Sequence, residues 1–217
     1  MAEPGEGLED MLRGFEAEYD ARNPNLSRNL RDLIERSPSL KSDLQQSIAD
    51  GNLKEIRIFE SNANNTGAEY SRKRQSIQIP ESDLLQYRTS RHYDEEMIFK
   101  LGHEMRHAMD RANATRGNDR FNNEVWRISE SAGTRHDYTT VVADFIDENR
   151  QRESYAHIGG FNAISSMARM QNPDATLKDI YEAYPARMAD FIEVAGVRGK
   201  SFSLKEGLTL DANMQMP

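Results

Sequence analysis

The residues best suited to chemistry in this 217-residue chain lie in the segment His103-Glu104-Met105-Arg106-His107. Histidines four residues apart lie on the same face of a helix, so both imidazoles can reach one metal ion. A glutamate directly after the first histidine then faces a water bound to that ion and can accept its proton. This HExxH pattern predicts a Zn²⁺ site with hydrolytic chemistry, in which His103 and His107 bind the metal and Glu104 is catalytic.

The residues around the motif predict the helix that it needs. Residues 94–112 contain no proline, and their apolar side chains recur at helical spacing over an arc of roughly 120°. The apolar positions are Met97, Ile98, Leu101, Met105, Ala108, Met109 and Ala112. Because His103 and His107 fall nearly opposite this arc, a second surface must face them.

A third metal ligand must come from elsewhere in the chain, because a catalytic zinc site has three protein ligands and one open position. Residues 137–170 predict a long helix, in which Gly159-Gly160 is a candidate bend. Glu153 lies on its apolar face, where a carboxylate is costly unless it is paired or binds a metal. We therefore predict Glu153 as the third ligand; the alternative is a salt bridge to Arg106 or Arg152. The apolar face consists of Val142, Phe145, Ile146, Ala156, Ala163, Ile164 and Met167.

His157 lies one helical turn after Glu153, on nearly the same face. It could replace Glu153 as a ligand, or it could donate a hydrogen bond to the oxyanion that forms on the reacting carbonyl. We favour the second, catalytic role. His136 and Tyr138 are weaker candidates for the oxyanion contact, and a capping or surface role is favoured for each.

These two segments together resemble the zincin metallopeptidases, in the branch whose third ligand is a glutamate on a second helix. Residues 101–108 are similar to the active-site helix of that family. Residues 152–163 are similar to its ligand helix, as found in metallopeptidase-like domains of bacterial secreted toxins and effectors. Weaker likeness extends to residues 174–181 and 207–210, so the resemblance covers the chain from about residue 50 onward.

The resemblance implies a zinc-dependent metalloendopeptidase that acts on a protein or peptide substrate. It also implies that the chain is secreted, or delivered to a target cell by a specialised secretion system. One position departs from the family, whose well-known members have an aspartate four residues after the ligand glutamate, where this chain has His157. Asp110 and Asp144 are the candidates to orient the zinc-binding imidazoles instead.

Composition excludes several other function classes. The net charge of −8 argues against a nucleic-acid partner, and the basic run Arg72-Lys73-Arg74 is expected to be a solvated hairpin. Without cysteine, the chain has neither disulfides nor a thiolate ligand. The acidic N-terminal residues do not form a signal peptide, and no apolar stretch reaches membrane length. We expect no membrane partner, and the oligomeric state stays open.

The expected fold class is α+β: a mostly helical, zincin-like fold with a small sheet flanking the HExxH helix. We expect a helical N-terminal subdomain over residues 1–50, a catalytic domain over 51–200 and an extended tail over 201–217. The other predicted elements of the chain are helices at 11–19, 26–35, 38–50, 175–184 and 185–194, strands at 56–59 and 76–80, and a loop at 61–67.

We further expect residues 77–79 either to bind extended substrate as an added strand or to be an ordinary sheet edge. Two other functions remain open from the sequence. The same metal chemistry could hydrolyse an amide of cell-wall peptides, so that the chain would be a zinc-dependent amidase. Alternatively, zinc could stabilise a non-catalytic binding module, which predicts a closed shell of four ligands.

Overall fold

The structure, a computed structural model, describes residues 6–59, 67–133, 135–196 and 201–217, so most of the predicted loop at 61–67 lies outside the described residues. The fold is α+β and mostly helical, as predicted. Its elements are α1 (Glu6–Tyr19), α2 (Asn25–Glu35), α3 (Pro38–Ala49), β1 (Glu55–Phe59), β2 (Glu69–Ser71), β3 (Ser76–Pro80), α4 (Glu81–Leu85), α5 (Arg91–Met109), α6 (Arg111–Ser129), α7 (Thr139–Gln171), α8 (Leu177–Ala183), α9 (Pro185–Met188), β4 (Ile192–Ala195) and β5 (Ser201–Leu204).

The N-terminal helices α2 and α3 form where the sequence predicts them, whereas α1 begins at Glu6, five residues before the predicted start. Ser37 caps α3, since its extended backbone lets the side chain accept a hydrogen bond from the Leu40 amide, and Pro38 follows at the first helical position. The same buried hydroxyl donates to the Ala163 carbonyl of α7 at 2.9 Å. Apolar residues of α1, α2 and α3 belong to one continuous core with those of α5 and α7.

The sheet beside the HExxH helix has β3 at its centre. β1 pairs in parallel with one side of β3, and β2 pairs antiparallel with the other. Both edges of β3 are therefore occupied, and the predictions for residues 77–79, as a substrate-binding strand or a sheet edge, are wrong. Ile77 and Ile79 are fully buried, as expected for a central strand. The turn after β2 exposes Arg72, which agrees with the predicted hairpin.

Helices α5 and α7 pack against each other at very short distance because glycines lie at the crossing. A Cβ atom added to Gly102 would lie 2.6 Å from the carbonyl oxygen of Gly159 and 2.7 Å from the Cβ of Ala163. A Cβ atom on Gly160 would lie 2.8 Å from the ring of Phe99. Gly159 and Gly160 thus permit close packing within a helix that runs continuously from Thr139 to Gln171.

The helical arm, defined as α6 with residues 139–152 of α7, extends beyond this core. Its two helices contact each other, and Phe121 stacks on Phe145 with ring centroids 4.3 Å apart. The prediction of an inward apolar face along all of α7 is wrong at this end, since Val142 and Ile146 are 40% and 43% exposed. Glu153, at the base of the arm, has a side chain that is 59% exposed and is not the buried acid that its helical face predicts.

The chain after α7 differs in part from prediction. The helix expected over residues 185–194 ends at Met188, and Ile192–Ala195 is β4, which pairs antiparallel with β5. Beyond β5 the tail follows α7, where the side chain of Asn162 both donates to and accepts from the backbone of Met216. Among the described residues, no helix is both long and apolar enough to cross a bilayer.

Candidate metal centre

Two helices bring three side chains that could bind a metal to one point. α5 supplies His103 and His107, whose Nε2 atoms are 3.1 Å apart. α7 supplies Glu153, with Oε2 at 3.5 Å from Nε2 of His103 and Oε1 at 3.5 Å from Nε2 of His107. One ligand atom from each residue lies within 4.8 Å of the others, a grouping that could hold a metal ion. The structure thus brings together the three residues that the sequence predicts as ligands.

The protonation state of the histidines suits metal binding. Burial, followed by the charges of His107, His157 and Arg187, lowers the pKa of His103 to about 4. Burial also lowers the pKa of His107, although Glu153 acts in the opposite direction. At neutral pH His103 is therefore neutral, as an imidazole must be to bind a metal through its ring nitrogen.

Glu104 faces the same centre and is held by the sheet. Its Oε2 accepts a hydrogen bond of 2.7 Å from the backbone amide of Tyr70 in β2. Its Oε1 is the oxygen directed toward the histidines, 3.9 Å from Nε2 of His103. Burial raises the pKa of Glu104 to about 7, with the Tyr70 amide opposing the rise and the charges of Glu153 and Glu69 adding to it. A carboxyl with this pKa can both accept and return a proton near neutral pH.

His157 lies beside the ligands. Its ring centroid is 5.0 Å from that of His103, in an edge-to-face arrangement, and 6.0 Å from that of Phe99. His157 lies one helical turn after Glu153 on α7, and this spacing brings its ring close to the centre, as predicted. These distances fit both predicted roles of His157, as an oxyanion donor and as a metal ligand, and both roles stay predictions.

The arginines that could have competed for Glu153 bind elsewhere. Arg106 lies over the ring of Tyr155, 5.8 Å from its centroid. Arg152 pairs with Asp110 at 3.4 Å and with Glu148 at 3.5 Å. Within the described residues, neither arginine forms a salt bridge with Glu153, which disfavours the alternative in which Glu153 is a structural ion-pair partner.

The remaining candidates are spread more widely. Asp110 is near the centre, and its charge raises the pKa of His107. Asp144 lies in the arm, beside Phe121 and Phe145, about 13 Å along α7 from Glu153. It is too distant to orient an imidazole.

His136 and Tyr138 precede α7 and lie at the far end of the arm. Tyr138, at the N-cap position, is roughly 22 Å along the helix axis from Glu153. The hydroxyl of Ser131 contacts the His136 ring at 3.3 Å. Their location agrees with the surface role and excludes an oxyanion contact.

A cavity beside the candidate metal centre was not predicted from the sequence. It has a volume of about 250 Å³ and lies between β2 and the helices α5, α6 and α7. β2 is too short to show alternating polarity, and α6 has few apolar residues among many polar ones, so neither element was predicted. The lining includes Tyr70, Arg72, Glu104, His107, Arg152 and Glu153.

A second polar group lies further along α5, toward its N-terminus. The Tyr184 hydroxyl donates a hydrogen bond to Glu96, and Arg187 donates to the same carboxylate at 3.2 Å. The Arg187 guanidinium also covers the ring of Phe99, 5.3 Å from its centroid. These contacts join α8 and α9 to the helix that carries His103 and His107.

Comparisons with protein-family models, curated proteins and solved structures found no match for this chain.

Proposed function

We propose that the protein is a zinc-dependent metalloendopeptidase, with a zincin-like arrangement of its active site. The observation that carries the proposal is the convergence of His103, His107 and Glu153 from two helices, with Glu104 directed at the same point. A purely structural zinc site has no need of a carboxylate in that position. The amidase alternative uses the same residues and differs only in its substrate.

The donor set fits zinc. Two neutral imidazoles and one carboxylate are a ligand set found in catalytic zinc sites. The half-exposed Glu153 and the adjoining cavity leave room for a reactant beside the ligands. When bound, zinc supplies Lewis acidity, which lowers the pKa of a coordinated water to about 7 and polarises the carbonyl of the scissile bond.

The protein's own residues then handle the proton. Oε2 of Glu104 is engaged by the Tyr70 amide, so Oε1 is the atom that accepts a proton from the attacking water. The same oxygen returns the proton to the leaving amine, which completes cleavage of the amide bond. His157 is the side chain proposed to donate a hydrogen bond to the oxyanion.

The outer side of β2 is the proposed docking edge for an extended peptide. The Tyr70 amide points away from β3 and toward Glu104, so this side of the strand faces the metal centre. An extended peptide alongside β2 would lie along the cavity and beside Oε1 of Glu104; the Tyr70 amide, already bonded to Glu104, would not take part in the pairing. The resemblance to secreted bacterial effectors suggests a protein in a target cell as the substrate.

Metal content and cleavage test this proposal together. Zinc should be retained by Glu104→Gln, because this residue is not a ligand, while hydrolysis should fall by about 10²-fold or more. Mass spectrometry of the native protein measures the zinc, and a proteome-wide cleavage screen measures the activity. Glu182→Gln, an exposed change in α8, is the matched control and should behave like wild type. Undiminished hydrolysis by Glu104→Gln would refute the general-base assignment.

Changes to the ligands should have a different signature. His103→Ala and Glu153→Ala should both lower zinc retention, because each removes one of three donors. Stoichiometric zinc in Glu153→Ala would reassign the third ligand, and His157 would be tested next. Purified peptidoglycan, assayed beside unfolded protein, separates the amidase alternative from the endopeptidase.

A further inference from the structure

Arg72 is a cationic group at the metal centre that the proposed chemistry does not use. It follows directly after β2 and lines the same cavity as His107 and Glu153. Its charge lowers the pKa of His107, which agrees with a position close to that ligand. The side chain is exposed, so it is accessible to a bound peptide.

Arg72 has no salt-bridge partner within the described residues, in contrast to Arg152, its cationic neighbour in the cavity. Arg152 pairs with Asp110 and Glu148. No acidic side chain among the described residues comes within salt-bridge distance of Arg72. A guanidinium offers a planar fork of donors that matches a carboxylate. A guanidinium without a salt-bridge partner in a binding cavity therefore favours an anionic ligand group.

The backbone of Arg72 is held in place by the arm. Nε of Arg111, at the start of α6, donates to the Arg72 carbonyl at 3.5 Å. The charges of Arg72 and Arg111 both act on the phenol of Tyr70, which lines the cavity, so both guanidinium groups are close to this residue.

The opposite sign is found at the other end of β2. The charge of Glu69 acts on Glu104, whereas that of Arg72 acts on His107. With a rise of about 3.3 Å per residue, the two positions are about 10 Å apart along the strand. An extended peptide on β2 would therefore meet a cationic group and an anionic group about three residues apart.

We propose that Arg72 binds a carboxylate of the peptide substrate, close to the scissile bond, and so selects acidic sequences. This inference rests on the proposed peptidase function. The carboxylate is that of an Asp or Glu side chain, because an endopeptidase cuts within the chain and away from its C-terminus. A charge-assisted pair at this position should favour the acidic peptide over its amide analogue by about tenfold in kcat/KM.

The test uses the zinc-loaded full chain and a randomised peptide library, prepared with free and with amidated C-termini. Wild type should cleave peptides with Asp or Glu near the scissile bond about tenfold faster than those with Asn or Gln. Arg72→Gln should lose this preference, and Arg72→Glu should shift it toward Lys. Arg74→Gln removes the same charge from the same exposed turn, outside the cavity lining, and should keep the preference. A preference seen only with free C-termini would overturn the assignment to an Asp or Glu side chain.

Binding gives a readout separate from turnover. Calorimetry on Glu104→Gln should show tighter binding of the intact acidic peptide than of its amide analogue, and adding Arg72→Gln should remove the difference. Equal cleavage of acidic and amide peptides by wild type would overturn the role of Arg72 while leaving the peptidase function in place. Loss of the preference in Arg74→Gln would also overturn it. Absence of any metal-dependent cleavage would remove the proposed function, and this inference with it.

Discussion

Replacing Gly102 by alanine tests whether the contact between α5 and α7 sets the metal site. The new Cβ would lie 2.6 Å from the Gly159 carbonyl oxygen and 2.7 Å from the Cβ of Ala163. An ordinary carbon–oxygen contact is roughly 3.4 Å, so the helices must separate by about 0.8 Å. Neither opposing atom is at the end of a flexible side chain, and neither can rotate away.

The expected free-energy change is the balance of two terms. Alanine is favoured over glycine inside a helix by about 1 kcal/mol. Overpacking costs typically about 1–3 kcal/mol, and the rigid neighbours of Gly102 place it at the upper end of that range or above. We expect a net loss of about 2 kcal/mol in the free energy of unfolding. The separation should also move Glu153 away from the histidines and weaken zinc binding by roughly 10- to 100-fold.

Gly14→Ala is the matched control. Gly14 lies inside α1, and an added Cβ would meet nothing within 4 Å. This variant should be more stable than wild type by up to about 1 kcal/mol, with unchanged zinc affinity. Denaturant unfolding and competition with a chelating dye measure the two quantities. If Gly102→Ala matched Gly14→Ala in both, the close helix contact would not be what positions the site.

Three further changes test other parts of the structure. Ser37→Ala should cost about 1–2 kcal/mol in denaturant unfolding, since it removes a helix cap and leaves the Ala163 carbonyl without its side-chain donor; a wild-type value would contradict this. Burial raises the pKa of Glu96, but hydrogen bonds from Tyr184 and Arg187 outweigh it and hold the pKa below 4.5. Its stabilisation is therefore present above pH 4.5 and lost as the pH falls through the folded-state pKa. Glu96→Gln should thus be less stable by about 1–3 kcal/mol at neutral pH, with the gap closing in acid, and a pH-independent gap would refute the assignment. Finally, zinc at about 100 times its dissociation constant should raise the free energy of unfolding by about 2.7 kcal/mol, and no shift relative to chelator-treated protein would argue against a metal site.

The histidine pair of the candidate ligand set could be predicted from the sequence because its spacing is local. The positions of His103 and His107 follow from one helical turn, and the apolar arc that identified α5 is buried as expected at Met97, Leu101 and Met105. Glu153 is in the predicted place for a different reason. Its side chain is half exposed, and it reaches the histidines because the later turns of α7 are packed tightly on α5.

Other parts of the site depend on contacts that are distant in sequence. The bond from the Tyr70 amide to Glu104 requires β2, a strand of three residues with no visible pattern. Helix α6 is polar around most of its surface and contacts the rest of the arm through few apolar residues such as Phe121. The helix predicted over residues 185–194 is wrong at β4, because pairing with β5 overrides the local preference for helix.

The location of Glu153 has a consequence for how the metal would be released. Segments with few buried contacts open and close locally, at a smaller free-energy cost than unfolding of the whole domain. The arm is such a segment, and Glu153 lies where it meets the core, whereas the two histidines lie on a helix with a well-buried apolar side. Local opening of the arm would thus move the Glu153 carboxylate away from the metal first. The metal ion would then exchange with solvent while the rest of the protein stays folded.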